Sequence, residues 1–182
     1  MSLHAEAIRT LTNWQAPNED QELLRKEYVD YLLNHLDAMT RASRPAHLTG
    51  SSIILDEAGA RTLLVLHNKI GLWVQPGGHC EPGDETLRDV ALREGHEETG
   101  VDGLIVSPEP LILSKHCAPC GAESHYDVQF LVTAPADAKL VVSEESHDVR
   151  WFSVDELPSD LALGVDESVR AATERAARRS AR

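Results

Sequence analysis

Between residues 77 and 100 the chain places a glycine-rich turn, Gly77-Gly78-His79-Cys80-Glu81-Pro82-Gly83-Asp84-Glu85, directly ahead of a helical stretch that closes Arg93-Glu94-Gly95-His96-Glu97-Glu98-Thr99-Gly100. At 100° per residue, Leu87, Val90, Ala91, Glu94, Glu97 and Glu98 fall within one arc of about 120°, so a face that begins apolar ends in acids. Such a helix is costly by itself. Negative charge near a helix C-terminus opposes the macrodipole, and glutamates three and four residues apart repel each other. A cation is therefore expected against them, and carboxylate oxygens suit a hard divalent ion, Mg²⁺ or Mn²⁺.

On either side of this segment the hydrophobic period changes. Residues 1–45 read as helical: Asn18-Glu19-Asp20-Gln21 supplies an N-cap, and Leu23, Leu24, Tyr28, Tyr31, Leu32 and His35 recur at helical spacing up to Met39. Arg41 to Pro45 reads as a linker. From His47 the pattern is that of strands, with runs at 48–55 and 61–67 separated by the hairpin signal Asp56-Glu57-Ala58-Gly59, and a short strand at 72–75 leading into Pro76-Gly77-Gly78. The acid-ended helix is expected over 85–98, with Asp84 as N-cap and Gly100 as its stop. Further strands are expected within 101–115, broken by Pro108 and Pro110, at 126–133 and at 149–153, with an Ala/Arg-rich helix over 166–182. This order predicts an α/β layered fold, with an N-terminal helical extension over 1–45 and the main domain over 46–182.

A length of 182 residues fits one domain with a sizeable core. The formal net charge of -13 argues against broad nucleic-acid or anionic-membrane binding, which needs clustered Lys and Arg. A small anionic substrate remains compatible, its phosphates arriving with metal or held by a few local basic groups. No apolar run approaches the roughly 20 residues of a membrane span, and Met1 to Trp14 lack the basic start and apolar centre of a signal peptide. The expected location is cytoplasmic. An odd count of cysteines, Cys80, Cys117 and Cys120, does not suggest a disulfide framework.

The segment resembles the Nudix box, G-x(5)-E-x(7)-R-E-U-x-E-E-x-G-U with U a bulky apolar residue, through Glu85, Arg93-Glu94, Glu97-Glu98, Gly100 and Val101. Trp73-Val74-Gln75-Pro76-Gly77-Gly78 looks like that family's strand leading into the box, and residues 149–157 resemble its late strand and short helix. Two departures stand out. Gly78 lies one residue too far from Glu85, so either Asp84 takes the first acidic position or the turn carries an insertion. Gly95 occupies the bulky apolar position, where it is expected to lower helix propensity and leave a packing site empty.

The resemblance implies an α/β/α sandwich around a mixed sheet and metal-dependent hydrolysis of a diphosphate linkage in a nucleoside diphosphate derivative or related small molecule. It implies Glu94, Glu97 and Glu98 as ligands of Mg²⁺ or Mn²⁺, with the Gly78 carbonyl as an additional one, and Arg93 as the residue orienting the carboxylates. The general base is expected to be Glu97, Glu98 or an acid of the 143–146 loop, where Glu145 is the choice. Alternatives are a Nudix-fold sensor that binds without cleaving, and a diphosphate isomerase suggested by Cys80 and Cys117.

His116-Cys117-Ala118-Pro119-Cys120, with His79 and Cys80 upstream, contains enough donors for zinc, but one Cys-x-x-Cys pair is half a site and half-buried free thiols are the expectation. His79, along with His116 and His125, can be read as a phosphate contact or as a hydrogen-bonded loop or strand residue. Trp73 can stack on a planar substrate group or pack in the core. The N-terminal helices are expected to pack on the same domain, with a homodimer contact or a lid as the alternatives.

Overall fold

The computed structural model of the protein describes residues 1–118, 120–144 and 146–180. Helices α1 (Leu3–Asn13) and α2 (Glu19–Asn34) lead into strands β1 (Ala46–Leu55), β2 (Arg61–His67), β3 (Trp73–Val74) and β4 (Gly77–His79). Then follow α3 (Leu87–Thr99), β5 (Ile105–Val106), β6 (Ile112–Cys117), β7 (Ser124–Thr133), β8 (Ser146–Ser153) and α4 (Val165–Ser180). The strands form one mixed sheet. Its spine runs β3-β2-β1-β7-β5, with β4 also on β1, β6 on β7 and β8 on β2. Strands β1 and β7 are parallel from Ala46↔Ser124 to Leu55↔Thr133, and the other pairings are antiparallel.

Alternation along β1 separates the two cores. Leu48 and Ile54 join Leu87 and Ala91 of α3 and the buried residues of α1 and α2 on one face, while Ile53 and Leu55 meet Val165, Val169 and Ala172 of α4 on the other. Helices thus cover both faces, giving the α/β/α layering that the Nudix resemblance implied. Helix α3 lies very close to β1: a Cβ on Gly50 would fall 2.9 Å from Val90 Cβ, and the Ser52 hydroxyl donates to the Ala91 carbonyl at 2.6 Å.

The N-terminal helices share this core. Tyr28 stacks on Tyr126 at 4.5 Å between ring centroids, and the Tyr31 hydroxyl donates to the Ala46 carbonyl at 2.7 Å. The buried Gln21 amide acts as an extra strand residue for β6, donating to the Leu113 carbonyl at 2.9 Å and accepting from the Leu113 N–H at 2.6 Å. Glu6 of α1, also buried, accepts the Leu87 N–H at 3.2 Å, which puts a carboxylate at the positive end of α3. Leu23, one of the residues recurring at helical spacing in this segment, remains 65% exposed.

Two helix boundaries differ from the expectation. Helix α2 stops at Asn34 rather than continuing to Met39, because the His35 ring stacks on Tyr31 and its Nδ1 engages the Tyr31 carbonyl at 3.0 Å, the acceptor a further helical residue would use. Helix α3 is capped by Thr86, not Asp84: Thr86 accepts the Asp89 N–H while Asp89 accepts the Thr86 N–H, a capping box. The stop at Gly100 is as expected, with φ of 68°. Because α3 rests on the missing side chain of Gly50, Gly50→Val is expected to cost about 1–3 kcal/mol by overpacking, read as a lowered midpoint in urea unfolding.

Candidate active site

The glycine turn is held to α3 by one guanidinium. Arg93 Nη2 donates to the His79 carbonyl at 2.8 Å, Nε and Nη2 reach the Asp84 carboxylate at 3.2 and 3.1 Å, and Nη1 reaches Glu94 at 2.8 Å and Glu97 at 3.1 Å. Burial alone would lower the Arg93 pKa, but hydrogen bonds to Asp84 and Glu94 outweigh it and raise the pKa above its ordinary value. Its charge is therefore permanent. Asp84 also accepts the Glu81 N–H at 2.8 Å, closing the turn on itself.

The two acids at the end of the turn have different surroundings. Asp84, with a side chain only 6% exposed, meets the arginine, while Glu85 is exposed. The helix cap falls instead to Thr86, two residues on, which forms a capping box with Asp89. Gly95 differs from the expectation of an empty packing site. A Cβ there would lie 3.1 Å from both Leu104 Cδ1 and Ser52 Oγ, so its neighbours already occupy the space.

The acids divide by depth. Glu98 is buried and accepts the Gly77 N–H at 3.4 Å; Glu94 is 13% exposed, whereas the Glu97 side chain is 54% exposed. The buried arc of α3 is rotated towards Gly95 and Thr99, leaving Glu97 on the rim. A Cβ on Gly78 would fall 2.4 Å from Glu94 Oε1, so this carboxylate lies in the space that only glycine leaves. The carboxylates of Glu94 and Glu98, both beside the glycine turn, offer hard oxygen donors of the kind that Mg²⁺ or Mn²⁺ prefers. Glu145 lies outside the described residues.

Other sequence candidates sit elsewhere. Trp73 is 5% exposed, its ring edge-on to Phe152 at 4.8 Å with the Arg150 guanidinium 5.6 Å above it, so of the two readings of this ring, stacking on substrate or packing in the core, the structure shows packing. The His79 ring turns towards His47 and His125, at 5.0 and 5.2 Å between centroids, while its backbone carbonyl serves Arg93. Burial pushes the Cys80 thiol up to about 12, and it donates to the Leu48 carbonyl at 3.8 Å, so Cys80 is a protonated packing group. Cys117 is exposed on β6.

Among the described residues, metal-type donors converge most tightly in His47, His79, Cys120 and His125, whose donor atoms lie within 4.8 Å of one another. His47 carried no signal in the sequence. Its neighbourhood arises from register: His47 pairs His125, His125 pairs His116, and Thr49, two residues along β1, pairs His79. The turn geometry makes its own prediction. Asp84→Ala is expected to lower stability by about 2 kcal/mol by leaving a largely buried guanidinium short of a partner, while Glu85→Gln stays within about 0.5 kcal/mol of the parent in denaturant titrations.

Comparison with known proteins agrees with this architecture. The chain is 36% identical over 95 residues to MutT4 of Mycobacterium tuberculosis (strain CDC 1551 / Oshkosh), covering 50% of this chain and 36% of that protein. It is 32% identical over 119 residues to the NAD-capped RNA hydrolase NudC of Stutzerimonas stutzeri (strain A1501), covering 62% of this chain and 39% of that protein. The chain thus spans well under half the length of the curated relatives it matches. A C. elegans Ap4A hydrolase superposes with a TM-score of 0.62 at 20% identity, covering 71% of this chain and 97% of that structure. The NUDIX domain pattern matches residues 46–172, from the first residue of β1 into α4, and the chain belongs to the Nudix family.

Proposed function

We propose that this protein is a Nudix-type diphosphohydrolase that uses Mg²⁺ or Mn²⁺ to cleave a diphosphate linkage in a nucleoside diphosphate derivative or related small molecule. The observation that carries this reading is the Arg93 junction, which joins the glycine turn to Glu94 and Glu97 through permanent charge. A ligand sensor has no need of acids set so close to a backbone kept free of Cβ at Gly78. The relatives named for NAD-capped RNA and Ap4A direct the substrate search towards nucleotides.

In this reading Glu94, Glu98 and the Gly78 carbonyl would hold the divalent ion, with Glu97 completing the set from the rim. When bound, the ion supplies neutralising charge for phosphate oxygens and makes water more acidic. Arg93 keeps Glu94 and Glu97 oriented and offsets their mutual repulsion before the ion arrives. Glu98, anchored on the Gly77 N–H, keeps its carboxylate against the turn, and Glu97, open to solvent, takes the proton of the attacking water.

The test is a screen of nucleotides, nucleotide sugars, dinucleotides and coenzyme A with Mg²⁺ and Mn²⁺, reading phosphate or monophosphate release. Glu97→Gln is expected to lower kcat by about 100-fold or more with the circular dichroism spectrum unchanged. Undiminished turnover in that variant overturns the role of Glu97, and failure of the parent to turn over any of these compounds favours the sensor.

A further inference from the structure

Behind the glycine turn, on the sheet face shared by His47 and Thr49, four side chains from separate strands and a loop point at one another. The Cys120 sulfur lies 3.4 Å from His47 Nε2 and 3.2 Å from His125 Nε2. His79 Nε2 is fully buried and has no hydrogen-bond partner among the described residues. Proton sharing accounts for part of this cluster: the thiol can donate to one imidazole and accept from another. It leaves the His79 nitrogen unsatisfied in either arrangement, an expense a native core avoids.

We propose that His47, His79, Cys120 and His125 form a four-coordinate structural Zn²⁺ site, separate from the acidic site, that clamps β1, β4 and β7 together beneath the catalytic turn. Tetrahedral zinc with ordinary bond lengths places imidazole nitrogens and a thiolate sulfur roughly 3.3–3.6 Å apart, close to the sulfur–nitrogen spacings already present. All four donors lie within 4.8 Å of one another, so a small inward movement closes the site. Three imidazoles and one thiolate are borderline-soft donors, which favour zinc over the Mg²⁺ or Mn²⁺ preferred by the carboxylates. The Ser43 carbonyl lies 3.4 Å from His47 Nδ1, an outer partner that leaves Nε2 free to ligate. With four protein ligands no position is left open for water, and the role is structural.

The site also bears on the proposed hydrolase. His79 offers its ring to the zinc and its carbonyl to Arg93, so the metal would anchor the strand whose carbonyl holds the arginine of α3. Zinc binding requires loss of the Cys120 thiol proton to solvent; no other bond is broken.

The experiment uses the full chain, purified free of any polyhistidine tag. Elemental analysis is expected to find one zinc per chain, and zinc-selective chelation in excess Mg²⁺ is expected to lower the melting midpoint by roughly 5 °C or more, reversed by zinc. Co²⁺ substitution should give tetrahedral d–d bands with a thiolate charge-transfer band. That band should vanish in Cys120→Ser and persist in Cys117→Ser and in Glu98→Gln. Failure of the parent chain to take up either metal, a Co²⁺ spectrum without thiolate charge transfer, or an unchanged band in Cys120→Ser overturns the proposal. The parent spectrum decides the matter even if Cys120→Ser does not fold. These readouts involve no turnover, so a chain without hydrolase activity still tests the zinc site.

Discussion

The guanidinium of Arg93 is the junction on which the site depends. Helix α3 carries Glu94, Glu97 and Glu98 within its last turns, an arrangement that its own dipole and their mutual repulsion both oppose. The arginine answers this from the same helix, and then reaches back to Asp84 and to the His79 carbonyl. A hydrogen bond to a charged group contributes about 1.5–3 kcal/mol net of the exchange with water, and the Arg93 side chain is 20% exposed, so its partners act in a partly water-excluded setting. The helix tolerates its acids because the turn supplies somewhere for the arginine to bind.

The rest of the fold presses this junction into place. Gly50 lets α3 sit directly on β1, and Ser52 ties the Ala91 carbonyl to the same strand. At the other end, Glu6 of α1 supplies a carboxylate to the Leu87 N–H, so the N-terminal extension stabilises the start of the helix whose end carries the acids. Gln21 and the tyrosines of α2 fasten that extension to β6 and β7. Two helices outside the Nudix match therefore support the element that defines the family.

Much of the site was legible in the chain because its logic is local. The acids of α3 follow from helical spacing within one segment, the αL stop at Gly100 follows from its lack of Cβ, and the layered fold follows from the alternation of strand and helix patterns. Finer positions were not legible, because they depend on competition for one group. Asp84 looks like an N-cap until Arg93 takes its carboxylate, and Gly95 looks like a hole until Leu104 and Ser52 are seen to fill it. Trp73 precedes the turn in the chain, yet Phe152 and Arg150, distant in sequence, take up its ring.

By itself the sequence determined the family, the acid-ended helix and the arginine beside it, since each is written in residues close together whose geometry a helix sets at 100° per residue. Tertiary structure alone decided which acid closes the turn, where the N-terminal helices dock, and which histidines meet. His47 and His125 are far apart along the chain and become neighbours only through the parallel register of β1 and β7, while His79 joins them through the antiparallel pairing of β4. Strand register is a property of the assembled sheet, set by long-range burial on both its faces, and no local period in the chain encodes it.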